Sequence, residues 1–152
     1  MKVVIQRVSE ASVKVNHKIV GKIDHGLVLL IGVDEDDDFS DADRLVKKII
    51  DLRIFSDENA KMNLSVKDIN GEILCISQFT LICDYKKGNR PSYIKAAKPE
   101  KAILIFEYFK QKMKESGLKI ESGIFGADMK VSLINDGPVT LVFDSKIIGQ
   151  QK

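Results

Sequence analysis

Asn135-Asp136-Gly137-Pro138-Val139-Thr140 constrains this chain more than any other stretch, because it sets a Gly-Pro pair between two strand-forming runs. Met129–Ile134 precedes it and Val139–Phe143 follows, both with the apolar, β-branched content of strands. Proline has no N–H to give a ladder and is excluded from a regular central strand. Gly137 can take backbone angles closed to other residues, and Pro138 fixes φ and permits a cis bond. Two readings follow. The stretch is either an Asp-Gly-Pro turn joining two strands, or a backbone device whose carbonyls face a ligand.

A chain of 152 residues, 44% hydrophobic and 30% charged, has the length and composition of one globular domain with its own core. No apolar run approaches a membrane span of about 20 residues. Met1-Lys2-Val3-Val4-Ile5-Gln6-Arg7 turns polar too soon for a signal peptide, so a cytoplasmic location with no membrane association is expected. Cys75 and Cys83 share one apolar run and read as buried free thiols.

Val3–Arg7, Ala11–Val15, Lys18–Ile23 and Leu27–Val33 read as strands of an antiparallel meander, with Asn16-His17 as a two-residue hairpin loop. Ser40 starts a helix with Asp43 completing a capping box, and Ala42, Leu45, Val46, Ile49 and Ile50 form its apolar face. Ile54–Val66 supports no definite element. Asn70-Gly71 turns the chain into a strand over Glu72–Cys83. Pro99 opens a second helix that runs to Ser116, stopped by Gly117, with Ala102, Ile105, Phe106, Phe109 and Met113 as its buried stripe. Leu118–Gly123, Lys130–Ile134 and Val139–Phe143 complete the strand set, and the last few residues are expected to fray. The expected architecture is one α+β domain over residues 1–152, a mostly antiparallel sheet or partial barrel with two principal helices.

Charge is unevenly spread. Asp34–Asp43 holds seven acids and no base, read as a solvated face with a favourable helix start. Asp84–Lys101 holds six bases against two acids, with Tyr85 and Tyr93 interleaved, a pattern suited to a polyanion.

The available chemistry is narrow. His17 and His25 fall in early turns, away from the pattern of a Ser-His-Asp or Cys-His site, and neither has metal-ligand spacing to other donors, so no metal is expected. There is no P-loop, Gly123-Ile124-Phe125-Gly126 is too short for a dinucleotide fingerprint, and no cofactor is expected. An enzyme of this composition would work with backbone dipoles, hydroxyls and groups on its substrate. Ser77-Gln78-Phe79-Thr80 stands out, three polar residues interrupting an apolar strand, which need partners if buried. Hydrogen bonding to neighbouring backbone would also account for them.

Four motifs in order now carry a resemblance: Ser77-Gln78-Phe79-Thr80-Leu81, Gly88-Asn89-Arg90-Pro91-Ser92, Gly126-Ala127-Asp128-Met129 and Asn135-Asp136-Gly137-Pro138-Val139-Thr140. Together they resemble the bacterial-type D-aminoacyl-tRNA deacylases over essentially the whole chain. The resemblance implies hydrolysis of the ester joining a D-amino acid to the 3′-terminal adenosine of tRNA, or joining glycine mischarged on tRNA-Ala. It implies a homodimer with the active site at the interface, Ser77–Thr80 of one subunit facing a cis Gly137-Pro138 of the other. Phe125 and Met129 would line an adenine pocket, Asn135 and Thr140 would join the substrate-binding residues, and Lys86, Lys87 and Arg90 would meet tRNA phosphates.

The residue chemistry accommodates this. An aminoacyl ester is activated, so water can attack it if backbone N–H groups of Phe79 and Thr80 stabilise the oxyanion. The adenosine 2′-hydroxyl would assist. Thr80 as a nucleophile is the rival, without an evident base. Carbonyls of Gly137 and Pro138 would form a wall that clashes with an L side chain. A non-catalytic module binding tRNA 3′ ends, or an esterase unrelated to tRNA, are the alternatives.

Overall fold

The computed structural model describes residues 1–149, so the expected fraying of residues 150–152 lies outside the described residues. The longest early element is β1, Lys2–Val15, continuous where two strands were expected. A change of partner replaces the break. The first half of β1 pairs antiparallel with β3 (Gly26–Gly32), the second half with β2 (Lys18–Ile23), and β8 (Lys130–Asp144) pairs along nearly its whole length. The Asn16-His17 loop has both residues at positive φ, as a two-residue hairpin requires. The meander does not form, because β3 joins β1 and leaves β2 at the end of the strand order.

Two parallel pairings extend the sheet from β3 to β6 (Glu72–Ser77) and from β6 to β7 (Lys119–Ser122). Such neighbours need long crossovers, supplied by α1 (Phe39–Ile50) and α2 (Pro99–Lys114). The segment left unassigned in the sequence holds a small hairpin, β4 (Phe55–Ser56) with β5 (Met62–Leu64).

Helix α1 is capped by Asp38 rather than Ser40. The Asp38 carboxylate accepts from the Ser40 N–H at 2.8 Å, and the Asp41 carboxylate accepts from the Asp38 N–H at 2.9 Å, closing a capping box that begins at Asp38 instead of the expected Ser40. In α2, Pro99 holds the first turn and Ala102, Ile105, Phe106, Phe109 and Met113 are buried as expected.

Both helices cover one face of the sheet, where Leu45, Ile49, Phe106 and Phe109 pack with Val3, Ile5 and Leu29. On the other face β2 folds over toward β6 and β7 and encloses Val13, Ile23, Val28, Leu74 and Ile76. The result is a mostly antiparallel partial barrel flanked by two helices.

The acidic run is not only a solvated face. Asp37 and Asp41 are buried. The Met1 ammonium donates to Asp37 Oδ1 at 2.6 Å and to Ser145 Oγ at 2.9 Å, and Ser145 Oγ donates to Asp41 Oδ1 at 2.7 Å. Burial raises the Asp37 carboxyl above its ordinary range although the ammonium opposes it. Burial acts on Asp41 too, but the hydrogen bonds from Asp38 N–H and Ser145 prevail and hold it below the usual range.

Candidate active site

The Ser77–Thr80 segment is not the middle of a strand. Strand β6 ends at Ser77, opposite Ile31, and β3 ends one residue later at Gly32, so the ladder has nothing further to pair. The chain bends over this end as a 3-10 turn, Phe79–Leu81. Gly32 makes the close approach possible, since a Cβ there would lie 2.9 Å from both the Gln78 carbonyl oxygen and Leu81 Cβ. The Gln78 N–H still reaches the Ile31 carbonyl at 2.7 Å, pinning the bend to β3.

A helical turn leaves its first N–H groups without intrahelical acceptors. Here the Phe79 and Thr80 N–H groups find no acceptor among the described residues. Two adjacent unsatisfied donors are what a developing oxyanion needs. The Thr80 hydroxyl accepts from Gln78 Nε2 at 2.5 Å, so its partner is an amide, which takes no proton. Cys75, below on β6, is fully buried with its thiol pushed up to about 12 by desolvation, and cannot serve as a thiolate nucleophile.

Beside the bend lies a cavity of about 640 Å³. Its lining includes Ser77, Gln78 and Phe79 together with Phe125 and Met129. Ile76 and Phe106 in that lining are buried, and Tyr93 and Lys98 are exposed. Phe125 is tilted against Phe106 at 6.1 Å, and Tyr93 meets Phe79 edge-on at 5.2 Å. A largely apolar cavity lined by aromatic rings and a few polar side chains suits a flat heterocycle with a polar tail.

Gly137 and Pro138 lie elsewhere. They do not join two strands by a turn, because β8 is continuous through them. On β1 only Arg7 stands between Gln6 and Val8, while their β8 partners Thr140 and Asn135 enclose four residues, Asp136–Val139. These four bulge out of the ladder. Gly137 sits at φ 136°, a region for glycine, and the Gly137-Pro138 bond is cis. Arg7 grips the bulge: Nε donates to the Asp136 carbonyl at 2.9 Å and Nη1 to the Ile54 carbonyl at 2.7 Å. Asn135 closes the base, accepting from the Val139 N–H at 3.0 Å and donating to Thr140 Oγ1 at 2.8 Å. The resemblance implied a substrate-binding role for Asn135 and Thr140; within the chain their side chains brace the bulge.

Bulge and bend occupy opposite ends of the sheet. Arg7 pairs with Leu27 and Ser77 with Ile31 of the same strand, four residues along β3, about 13 Å of strand.

The family model for D-Tyr-tRNA(Tyr) deacylase matches residues 4–144. The chain belongs to that family. It is 62% identical over 147 residues to a D-aminoacyl-tRNA deacylase of Flavobacterium psychrophilum, covering 96% of this chain and 98% of the relative. It is 57% identical to the D-aminoacyl-tRNA deacylase of Thermosipho melanesiensis, at 96% and 98% coverage. Among solved structures it resembles one named c-Myc DNA Unwinding Element Binding Protein, with TM-score 0.89, 40% identity and coverage of 95% and 98%. It also shares the fold of a probable eukaryotic D-amino acid tRNA deacylase, with TM-score 0.78 at 16% identity, covering 93% and 97%.

Within this deacylase-family chain, Ser77, Gln78, Phe79, Phe125 and Met129 come together around the cavity, with Thr80 in the adjoining turn. Gly137, Pro138, Asn135 and Thr140 form the separate bulge. Lys86, Lys87 and Arg90 stand exposed on a loop whose neck is closed by Asp84 and Ser92, each N–H donating to the other's carbonyl at 2.8 Å. Sequence reasoning missed Phe106, counted only as helix core, and Arg7, an N-terminal strand residue with no local sign of contact with residue 136. It also missed Tyr93 and Lys98, taken only as part of the basic run. No helix among the described residues is long and apolar enough to cross a membrane.

Proposed function

We propose that this chain hydrolyses the ester between a D-amino acid and the 3′-terminal adenosine of tRNA, in a site completed by a second copy of itself. The observation that carries this reading is the pair of unsatisfied N–H groups of Phe79 and Thr80 at the edge of the ring-walled cavity. With adenine between Phe125, Phe106 and Met129, the ribose and its ester would lie toward the Ser77–Thr80 bend.

Water attacks the ester carbonyl, the oxyanion is held by the two N–H groups, the C–O bond to ribose breaks, and the ribose oxygen leaves with a proton. Among the described residues the Thr80 hydroxyl is hydrogen-bonded to the Gln78 amide and to no base, so the substrate's own 2′-hydroxyl orients and activates the water. Thr80 contributes its N–H and the hydroxyl that accepts from Gln78.

The distance between bulge and bend along β3 means that one chain's Gly137-Pro138 cannot cover its own Phe79 and Thr80. A second subunit can. Strand β8 pairs only with β1 among the described residues, leaving an open edge, and Ile134 and Val142 on it are 53% and 71% exposed. Asp136, Gly137 and Pro138 are exposed beside that edge. The partner's Gly137 and Pro138 carbonyls then form a wall where an L side chain would project, while a D side chain points outward and glycine passes. Removal of glycine from tRNA-Ala and a cytoplasmic location belong to the same reading.

A deacylation assay with matched D- and L-aminoacyl-tRNA tests the reaction. Hydrolysis of both alike, or of neither, refutes the reading. Thr80→Ala keeps its N–H and is expected to retain measurable activity, whereas tRNA ending in 2′-deoxyadenosine is expected to be a poor substrate. A dead Thr80→Ala with normal turnover of the 2′-deoxy substrate would make Thr80 the nucleophile. The name of the 40%-identical structure favours one other reading, nucleic-acid binding without catalysis. It predicts binding of tRNA with no release of amino acid.

A further inference from the structure

A second groove, of about 380 Å³, opens beside the cavity. The two share a wall one residue wide. Val33 and Ala96 face the cavity, while their chain neighbours Asp34 and Lys95 face the groove. These segments are tied by an Asp34–Ala96 bridge, by Ala97 N–H on the Val33 carbonyl at 2.9 Å and by Glu35 N–H on the Lys95 carbonyl at 2.8 Å. A polymer whose terminal unit fills the cavity can reach the groove by crossing this wall, since neighbouring Cα atoms are only about 3.8 Å apart.

The groove carries a small excess of positive charge, four lysines against three aspartates. Lys2, Lys86, Lys95 and Lys146 reach it from four separate parts of the chain. Its acids are engaged locally. Asp84 Oδ1 accepts the Lys86 N–H at 3.0 Å, Asp144 Oδ1 the Lys146 N–H at 2.9 Å, and Asp34 Oδ1 the Asp36 N–H at 3.2 Å. Among the described residues only Lys146 of the four lysines has an ion pair, a loose 3.8 Å contact with Asp34. Tyr85 stands at the rim, 76% exposed and with no aromatic partner among the described residues. A free ring among four lysines, three of them without an ion pair among the described residues, is an arrangement that can hold single-stranded nucleic acid by stacking and charge, without reading sequence.

We propose that this groove binds the single-stranded nucleotides just 5′ of the terminal adenosine, with Tyr85 stacked on a base and Lys2, Lys95 and Lys146 on the phosphates. The proposal rests on the deacylase reading and extends it. The two tyrosines of the basic run divide the work, Tyr93 at the cavity and Tyr85 at the groove. Lys2 opens β1 and Lys146 follows the end of β8, both at one end of the β1–β8 ladder and outside the basic run altogether.

The test compares kcat/KM on two substrates, a D-aminoacyl-adenosine that fills only the cavity and the matching D-aminoacyl-tRNA. Tyr85→Ala is expected to lower the tRNA value about five- to hundredfold. The double variant Lys95→Gln/Lys146→Gln is expected to flatten the dependence of log kcat/KM on log salt by about 0.7 per lost contact. In both variants the ratio of tRNA to aminoacyl-adenosine activity falls. Equal losses on both substrates would mean that these residues merely shape the cavity, and no loss on tRNA would leave the groove empty; either overturns the proposal. Wild-type protein inactive on both substrates would instead refute the deacylase reading itself.

Discussion

Replacing Arg7 by Met removes the guanidinium while keeping an unbranched apolar stem on β1. The side chain is 12% exposed, and its two hydrogen bonds join segments far apart in sequence, the Asp136 carbonyl in the bulge and the Ile54 carbonyl after α1. A hydrogen bond from a charged donor contributes about 1.5–3 kcal/mol. The Ile54 carbonyl is partly buried and keeps most of that loss, whereas the exposed Asp136 carbonyl turns to water and keeps little. The 4.0 Å approach to the half-exposed Asp136 carboxylate adds almost nothing. The fold is thus expected to lose about 2–3 kcal/mol, chiefly at the Ile54 carbonyl, while the bulge itself loses about 0.5–1.5 kcal/mol of restraint, a roughly 2- to 10-fold shift toward other conformations. If the bulge excludes L-residues from a partner's site, kcat/KM on D-aminoacyl-tRNA falls by up to that factor, and the D-over-L ratio falls with it. Arg7→Lys, with one point charge for two separated acceptors, is expected to lie between. Urea unfolding run alongside separates loss of the clamp from loss of the fold. A folded Arg7→Met protein with D and L rates within twofold of wild type would refute the argument.

Two further perturbations probe other parts of the chain. A methyl at Gly123 would overlap Met129 Sδ, so Gly123→Ala is expected to displace that flexible side chain into the cavity and raise KM for a D-aminoacyl-adenosine severalfold, with little change in unfolding midpoint; an unchanged KM would remove Met129 from the adenosine site. Asp37→Asn strips the buried Met1 ammonium of its carboxylate at 2.6 Å, and a buried charge without its partner costs about 3–5 kcal/mol, which a urea titration would register as a clear drop in midpoint.

Much of the fold was legible from local rules. Proline at the first turn and a 3.6-residue stripe from Ala102 to Met113 define α2 without tertiary help, because capping and one-sided burial are properties of the segment itself. The Asn16-His17 hairpin is equally local. The Gly-Pro pair announced a special backbone, and the chain order of four motifs pointed to the family. What the sequence could not display was anything decided by a ladder partner. Strand β6 stops at Ser77 because β3 stops at Gly32, and that forced bend, not the residues of the bend, leaves the Phe79 and Thr80 N–H groups free. The Gly-Pro pair is a bulge rather than a turn because β1 runs straight past it with Arg7 opposite. Asp37 and Asp41 look like surface charge until Met1 folds back onto the first and Ser145 onto the second. In each case the determining contact joins residues from 36 to 129 positions apart, beyond the reach of periodicity and capping, so only the tertiary structure decided it.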